Sequence, residues 1–204
     1  MKTSTKNMVL CALCAAIICV LAPIAVPIGP VPISLATFAV MLAGVLTGAK
    51  WGTIATAVYL LLGIVGVPVF AGYSAGIDKF AGPTGGYLAG YLFLSFLCGL
   101  IYYRTGRQQK GVMKYVWMFA AMLIGTAVLY TFGTAWFCIQ SGTPVGAALG
   151  MCVLPFLPGD FLKMVVVAVV VPPVERALAR SGNGFEPAAG KTADTAAADA
   201  GTKQ

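Results

Sequence analysis

The chain contains no histidine. That removes the usual general base at neutral pH and the commonest metal ligand. Charge is scarce: Asp, Glu, Lys and Arg make up 9% of the chain, against about a quarter in an ordinary soluble domain. So few charges cannot cover a water-facing surface, which points the surface toward lipid. The charge present is mostly positive, with a net of +7. Its basic residues stand at the ends of apolar runs and form no patch with interleaved aromatics, so nucleic-acid binding is excluded. No GxxxxGK[ST] phosphate loop occurs, so the chain does not hydrolyse ATP itself. Cys11 and Cys14 form a CxxC without a second cysteine pair, short of the roughly four ligands a zinc site takes. They and the other cysteines read as small residues of apolar helices.

Apolar sequence is abundant, with 59% hydrophobic residues. A membrane span takes about 20 mainly apolar residues. Spans are expected over residues 8–25, 34–48, 51–67, 86–103, 115–138 and from 159 to about 180. Gly48, Ala49 and Lys50 separate the second and third, predicting a tight helical hairpin. Residues 146–154 are apolar but too short to cross, and read as a short helix lying against the bundle. The last helix must run through Pro172 and Pro173, where a kink is expected. The expected fold class is therefore an all-α integral membrane protein with six transmembrane helices. With both termini cytoplasmic, Lys2, Lys6, Lys50, Arg104, Arg107, Lys110, Lys114, Arg176 and Arg180 fall inside, and only Lys79 and Lys163 fall toward the outside. This is the asymmetry of the positive-inside rule. Residues 1–180 form the membrane domain. Residues 181–204, rich in Ala, Gly, Thr and Asp and carrying Lys191 and Lys203, read as a disordered cytoplasmic tail.

Three features could carry function. Asp160 and Lys163 are charges inside an apolar run, costly in a bilayer. At i and i+3 they share a helix face and partly neutralise each other. Asp160 could simply cap the helix start. Lys163 there opposes the helix dipole unless an anion visits. The second feature is the Gly- and Pro-rich segment 68–85. Phe70, Tyr73 and Tyr87 offer apolar walls, Ser74 and Thr84 offer hydroxyls, and Gly85 and Gly86 allow close backbone approach. Non-helical backbone at membrane depth must be buried or line a cavity. The third is Ala12 and Ala16, small residues four apart that suit docking against another membrane helix.

The runs PVFAGYSAG (Pro68 to Gly76), GPTGGYLAGY (Gly82 to Tyr91) and LPFLPGDFLK (Leu154 to Lys163) resemble the BioY family, the biotin-specific substrate-binding (S) subunits of energy-coupling-factor (ECF) transporters. The resemblance covers residues 8–180. It implies a six-helix domain that captures biotin near the outer face under a covering loop. The partners it implies are a transmembrane coupling subunit and two cytoplasmic ATPases, with ATP used only by those partners and no cofactor in this chain. It associates Asp160 and Lys163 with biotin, and Ala12 and Ala16 with the coupling protein. One assignment gives Lys163 the ligand carboxylate and Asp160 the ureido N–H groups; in another Asp160 only orients Lys163. Family members often carry a glutamine early in the second helix, where this chain has Ala36, leaving Thr37 as the second-helix contact. Alternatives are an S subunit for a different vitamin, an intramembrane enzyme using Asp160 and Lys163 as acid and base, or a scaffold without ligand. Work as a homo-oligomer is left open.

Overall fold

The computed structural model describes residues 5–27, 31–109 and 111–180. Lys2, Lys110 and the expected tail over 181–204 lie outside them. The described residues are mostly helical. Helix α1 (Thr5–Leu21) leads into strands β1 (Ala25–Val26) and β2 (Ile33–Ser34). The strands pair antiparallel, Ala25 with Ser34 and Val26 with Ile33. Then follow α2 (Ala36–Val65), a single 3-10 turn (Ala71–Tyr73), α3 (Asp78–Ala81), α4 (Gly85–Ile101), α5 (Val112–Ser141), α6 (Val145–Cys152) and α7 (Leu157–Arg180). A turn of π-helix (Tyr102–Gly106) extends α4.

Helix α1 ends before residue 25, where the apolar run alone would carry it. Pro23 lacks an N–H and disfavours helical backbone in the residue before it, so the chain turns into β1 instead. The hairpin expected around Gly48 is formed by that glycine alone. Gly48 adopts φ 81°, which an L side chain rarely takes, and the helix reverses there. A Cβ built on Gly52 would lie 2.7 Å from the Gly44 Cα; along an unbroken helix these residues would stand about 12 Å apart. Helix α2 thus consists of two antiparallel arms, residues 36–47 and 49–65, of about 18 Å and 26 Å at ~1.5 Å per residue.

Segment 68–85 is more ordered than its composition suggests, holding the 3-10 turn and α3. Helix α5 is longer at both ends than the expected 115–138, and α7 begins at Leu157 and continues through Pro172 and Pro173. The short helix read over 146–154 is α6, which packs against α5 and buries Ala148 and Cys152.

Among the described residues, α4 with its extension, α5 and α7 are each long and apolar enough to cross a membrane, and α2 has the length and composition but spends them on its two antiparallel arms. Helix α1 is apolar over 17 residues. With large apolar side chains such as Leu13, Leu61, Leu123 and Val169 turned outward, this is an all-α membrane protein. Helix α4 is the most buried of the long helices and packs between α2 and α5. Glycines set its approach. A Cβ on Gly99 would meet the Ala49 N at 2.3 Å, and one on Gly90 would meet Leu129 at 2.7 Å. Small residues let helix backbones close up in this way where lipid supplies no hydrophobic drive.

Candidate functional site

The first two turns of α7 hold the charged pair. Its Asp160 N–H donates to the Phe156 carbonyl at 2.8 Å, so Asp160 is already within the helical ladder. Its carboxylate does not cap the helix start; it turns toward α2 and α5. Oδ1 accepts from the Lys163 ammonium at 2.9 Å and from the Thr37 hydroxyl at 3.2 Å. Oδ2 accepts from the Tyr130 hydroxyl. Lys163 Nζ donates also to the Ser34 carbonyl at 2.7 Å and to Thr37 Oγ1 at 2.9 Å. Asp160 is 2% exposed and Lys163 8%.

Local structure explains the convergence. Ser34 ends β2, and its hydroxyl accepts the Ala36 N–H at 3.1 Å, which starts α2. The Ser34 carbonyl is left facing α7, and Thr37 follows one residue into the helix. Tyr130 reaches in from mid-α5. Three elements therefore surround one carboxylate and one ammonium, and nearly every polar atom is paired. A buried ion pair repays its desolvation only under such conditions.

This cluster is the floor of a cleft. Asp160, Lys163, Thr37 and Tyr130 line a small cavity of ≈ 30 Å³, about the volume of one water. Above it lies a larger cavity of ≈ 330 Å³, within the range of roughly 300–1,000 Å³ for small-molecule sites. The charged pair lines the smaller cavity and not the larger. Val31, Pro32, Ser34, Tyr87 and Tyr91 line both, so the two are compartments of one cleft. Tyr59, Phe70 and Leu88 give the larger compartment apolar walls, and its mouth carries Ser74, Thr84, Asp78 and Lys79.

Of the residues singled out from sequence, Asp160, Lys163 and Thr37 meet at the floor, and Tyr87 stands between the compartments. Phe70, Ser74 and Thr84 line the upper one. Three do not reach it. Tyr73 is 69% exposed and lines neither compartment. Gly85 and Gly86 sit at the start of α4 as packing surfaces. A Cβ on Gly85 would meet the Phe80 carbonyl at 1.9 Å, and one on Gly86 the Trp136 Cβ at 2.3 Å. Their lack of a side chain admits neighbouring protein, where the sequence suggests backbone approach to a ligand. Ala12 and Ala16 are exposed on the outer face of α1, away from the cleft.

Sequence reasoning misses Ser34, Tyr59, Tyr91 and Tyr130. Ser34 contributes a backbone carbonyl, which no residue type announces. The tyrosines offer a weak signal: a hydroxyl in mid-span needs a partner.

Fold and cleft together define a helical membrane protein with a cleft of small-molecule size, apolar in its walls and charged at its floor. The BioY family model matches residues 1–180. The biotin transporter BioY of Rhizobium etli is 40% identical over 172 residues, covering 82% of this chain and 91% of that protein. The probable biotin transporter BioY of Pyrococcus horikoshii is 38% identical, covering 81% and 93%. The crystal structure at 2.1 Å of the S-component for biotin from an ECF-type ABC transporter superposes with a TM-score of 0.78. It is 32% identical, with 91% of this chain and 97% of that one covered. The chain belongs to the BioY family.

Proposed function

We propose that this chain captures biotin in the cleft and mediates its uptake as the S subunit of an ECF-type transporter. The observation that carries the reading is the buried Asp160–Lys163 cluster beneath an apolar compartment. Biotin has a matching division: a ureido ring with two N–H donors and one acceptor, an apolar chain and thioether ring, and a carboxylate. The floor is a net-neutral pair, so it suits the neutral ureido head better than a second anion. A carboxylate offers about four acceptor sites, and Asp160 uses three of them within the protein. One ureido N–H takes the remaining site, on Oδ2, while Thr37 and Lys163 hold Asp160 in place.

The two arms of α2 bring the crossing segments to six, counted with α1, α4, α5 and α7. With both ends cytoplasmic, the cleft opens outward and Lys50, Lys114, Arg176 and Arg180 fall inside, as positive-inside asymmetry asks. The setting is the cytoplasmic membrane of a prokaryote. Ala12 and Ala16 present a small-residue face to the transmembrane coupling subunit, and two ATPase subunits supply the energy.

The test is calorimetric titration of biotin into the purified full chain in detergent. Wild type should bind, and Asp160→Asn and Lys163→Ala should each weaken binding by about 100-fold or more, the scale of breaking a buried charge pair. Well-folded wild type that ignores biotin would move the assignment to another vitamin.

A further inference from the structure

The cleft holds two cations, Lys163 at the floor and Lys79 at the mouth. They differ in what they have left to give. All three Lys163 N–H donors are engaged, by the Ser34 carbonyl, Thr37 Oγ1 and Asp160 Oδ1. A ligand carboxylate there would have to displace one of these acceptors and sit beside Asp160. Lys79 makes no ion pair or hydrogen bond through its ammonium among the described residues. Its backbone is nonetheless fixed: the Lys79 carbonyl accepts the Thr84 hydroxyl at 3.2 Å, tying α3 to the start of α4.

The mouth has few other donors for an anion. The Ser74 hydroxyl gives its one proton to the Ala71 carbonyl at 2.9 Å, and Thr84 gives its own to Lys79. We propose that Lys79 binds the carboxylate of the ligand and so sets which way round the ligand lies, head at the floor and acid at the mouth. This rests on the biotin reading above and deepens it. Asp78 lines the same mouth and opposes an incoming carboxylate, which leaves the ammonium of Lys79 as the attractive element. A charge-assisted contact at a half-open site is worth about tenfold in affinity.

The experiment titrates biotin and its uncharged amide, biotinamide, into the full chain in detergent. The variants are Lys79→Gln, Lys79→Arg, Asp78→Asn and Lys163→Gln. Wild type should prefer biotin by about tenfold. Lys79→Gln should erase that preference by weakening biotin alone. Lys79→Arg should keep it, and Asp78→Asn should raise biotin affinity about twofold. Lys163→Gln should weaken both ligands alike. Equal loss of both ligands in Lys79→Gln would overturn the proposal by reducing Lys79 to a prop for the mouth. It would also fall if Lys163→Gln, and not Lys79→Gln, removed the preference. Wild type that binds neither ligand would instead defeat the biotin reading itself.

Discussion

Helix α7 carries a carboxylate at each end, and the two are bound differently. At the cleft end Asp160 pairs with Lys163 on its own helix, with side chains 3% and 10% exposed. At the far end Glu175 pairs with Lys114 of α5 at 2.6 Å, with side chains 17% and 21% exposed. Each also takes a tyrosine hydroxyl. Tyr130 donates to Asp160, and Tyr102 lies 3.1 and 3.2 Å from the two Glu175 oxygens. The far pair joins two helices and closes on protein alone. The cleft pair needs no second helix for its ion pair, yet recruits Thr37 and Ser34 from across the bundle and opens on a cavity. The far pair reads as a fastening of α7, and the cleft pair as a charged floor kept in place for something else.

The sharpest way to break that contrast is to remove one member of the cleft pair. Lys163→Ala leaves Asp160 buried without its cation and should cost about 3–5 kcal/mol of stability. Replacing both together, Asp160→Asn with Lys163→Met, should recover most of that stability, because a buried pair is often no more stabilising than apolar residues of its size. It should not recover biotin binding. Thermal unfolding in detergent read beside titration separates the two. A double variant that binds biotin like wild type would show the floor to be structural.

Much of this contrast is legible in the amino-acid sequence. Asp160 and Lys163 stand out because charge is so rare in their run, and their i, i+3 spacing puts them in contact. The helical reversal at residues 48–50 and the short helix after α5 follow from Gly48 and from run length. The partners are not legible. Thr37 and Asp160 are separated by 123 positions, and nothing local says which mid-span hydroxyl will meet which carboxylate. Tyr130 looks the same in sequence as a lipid-facing tyrosine. Gly85 and Gly86 are ambiguous for a different reason. A glycine at a loop–helix boundary serves a ligand or a neighbouring helix equally well, and only the position of Trp136 decides.

A smaller effect tests whether the far end is simply packed. A methyl on Gly99 would strike the backbone at Gly48 and Ala49, at 2.4 and 2.3 Å. Gly99→Ala should therefore push α4 off the reversal of α2 and cost about 1–3 kcal/mol, the usual range for overpacking. Biotin affinity should change little in the folded fraction. A large loss of affinity with unchanged unfolding temperature would mean that the two ends communicate.

Tyr130→Phe is smaller again and returns to the cleft. It removes the donor to Asp160 Oδ2 and leaves that oxygen dependent on water or ligand. The expected cost is about 1–2 kcal/mol without ligand. Saturating biotin should offset part of it if a ureido N–H takes the vacated acceptor. Unfolding with and without biotin measures this directly. A ligand-induced shift no larger than that of wild type would argue that biotin does not use that oxygen.

The smallest effect is expected at Glu175. Glu175→Gln keeps an acceptor for Tyr102 and removes only the charge facing Lys114. Polar contacts between membrane helices average about 0.6 kcal/mol in measured cycles, and this pair is partly open to solvent, so a loss of that order is expected. Glu175→Leu, which also strands the Tyr102 hydroxyl in a fully buried position, should cost more than Glu175→Gln by roughly a further 1 kcal/mol. Neither should alter biotin affinity, since no atom of Glu175 lines the cleft. If Glu175→Gln left stability intact but changed binding, the fastening at the far end would have to be coupled to the floor through α7. The two pairs would then be one device and not two.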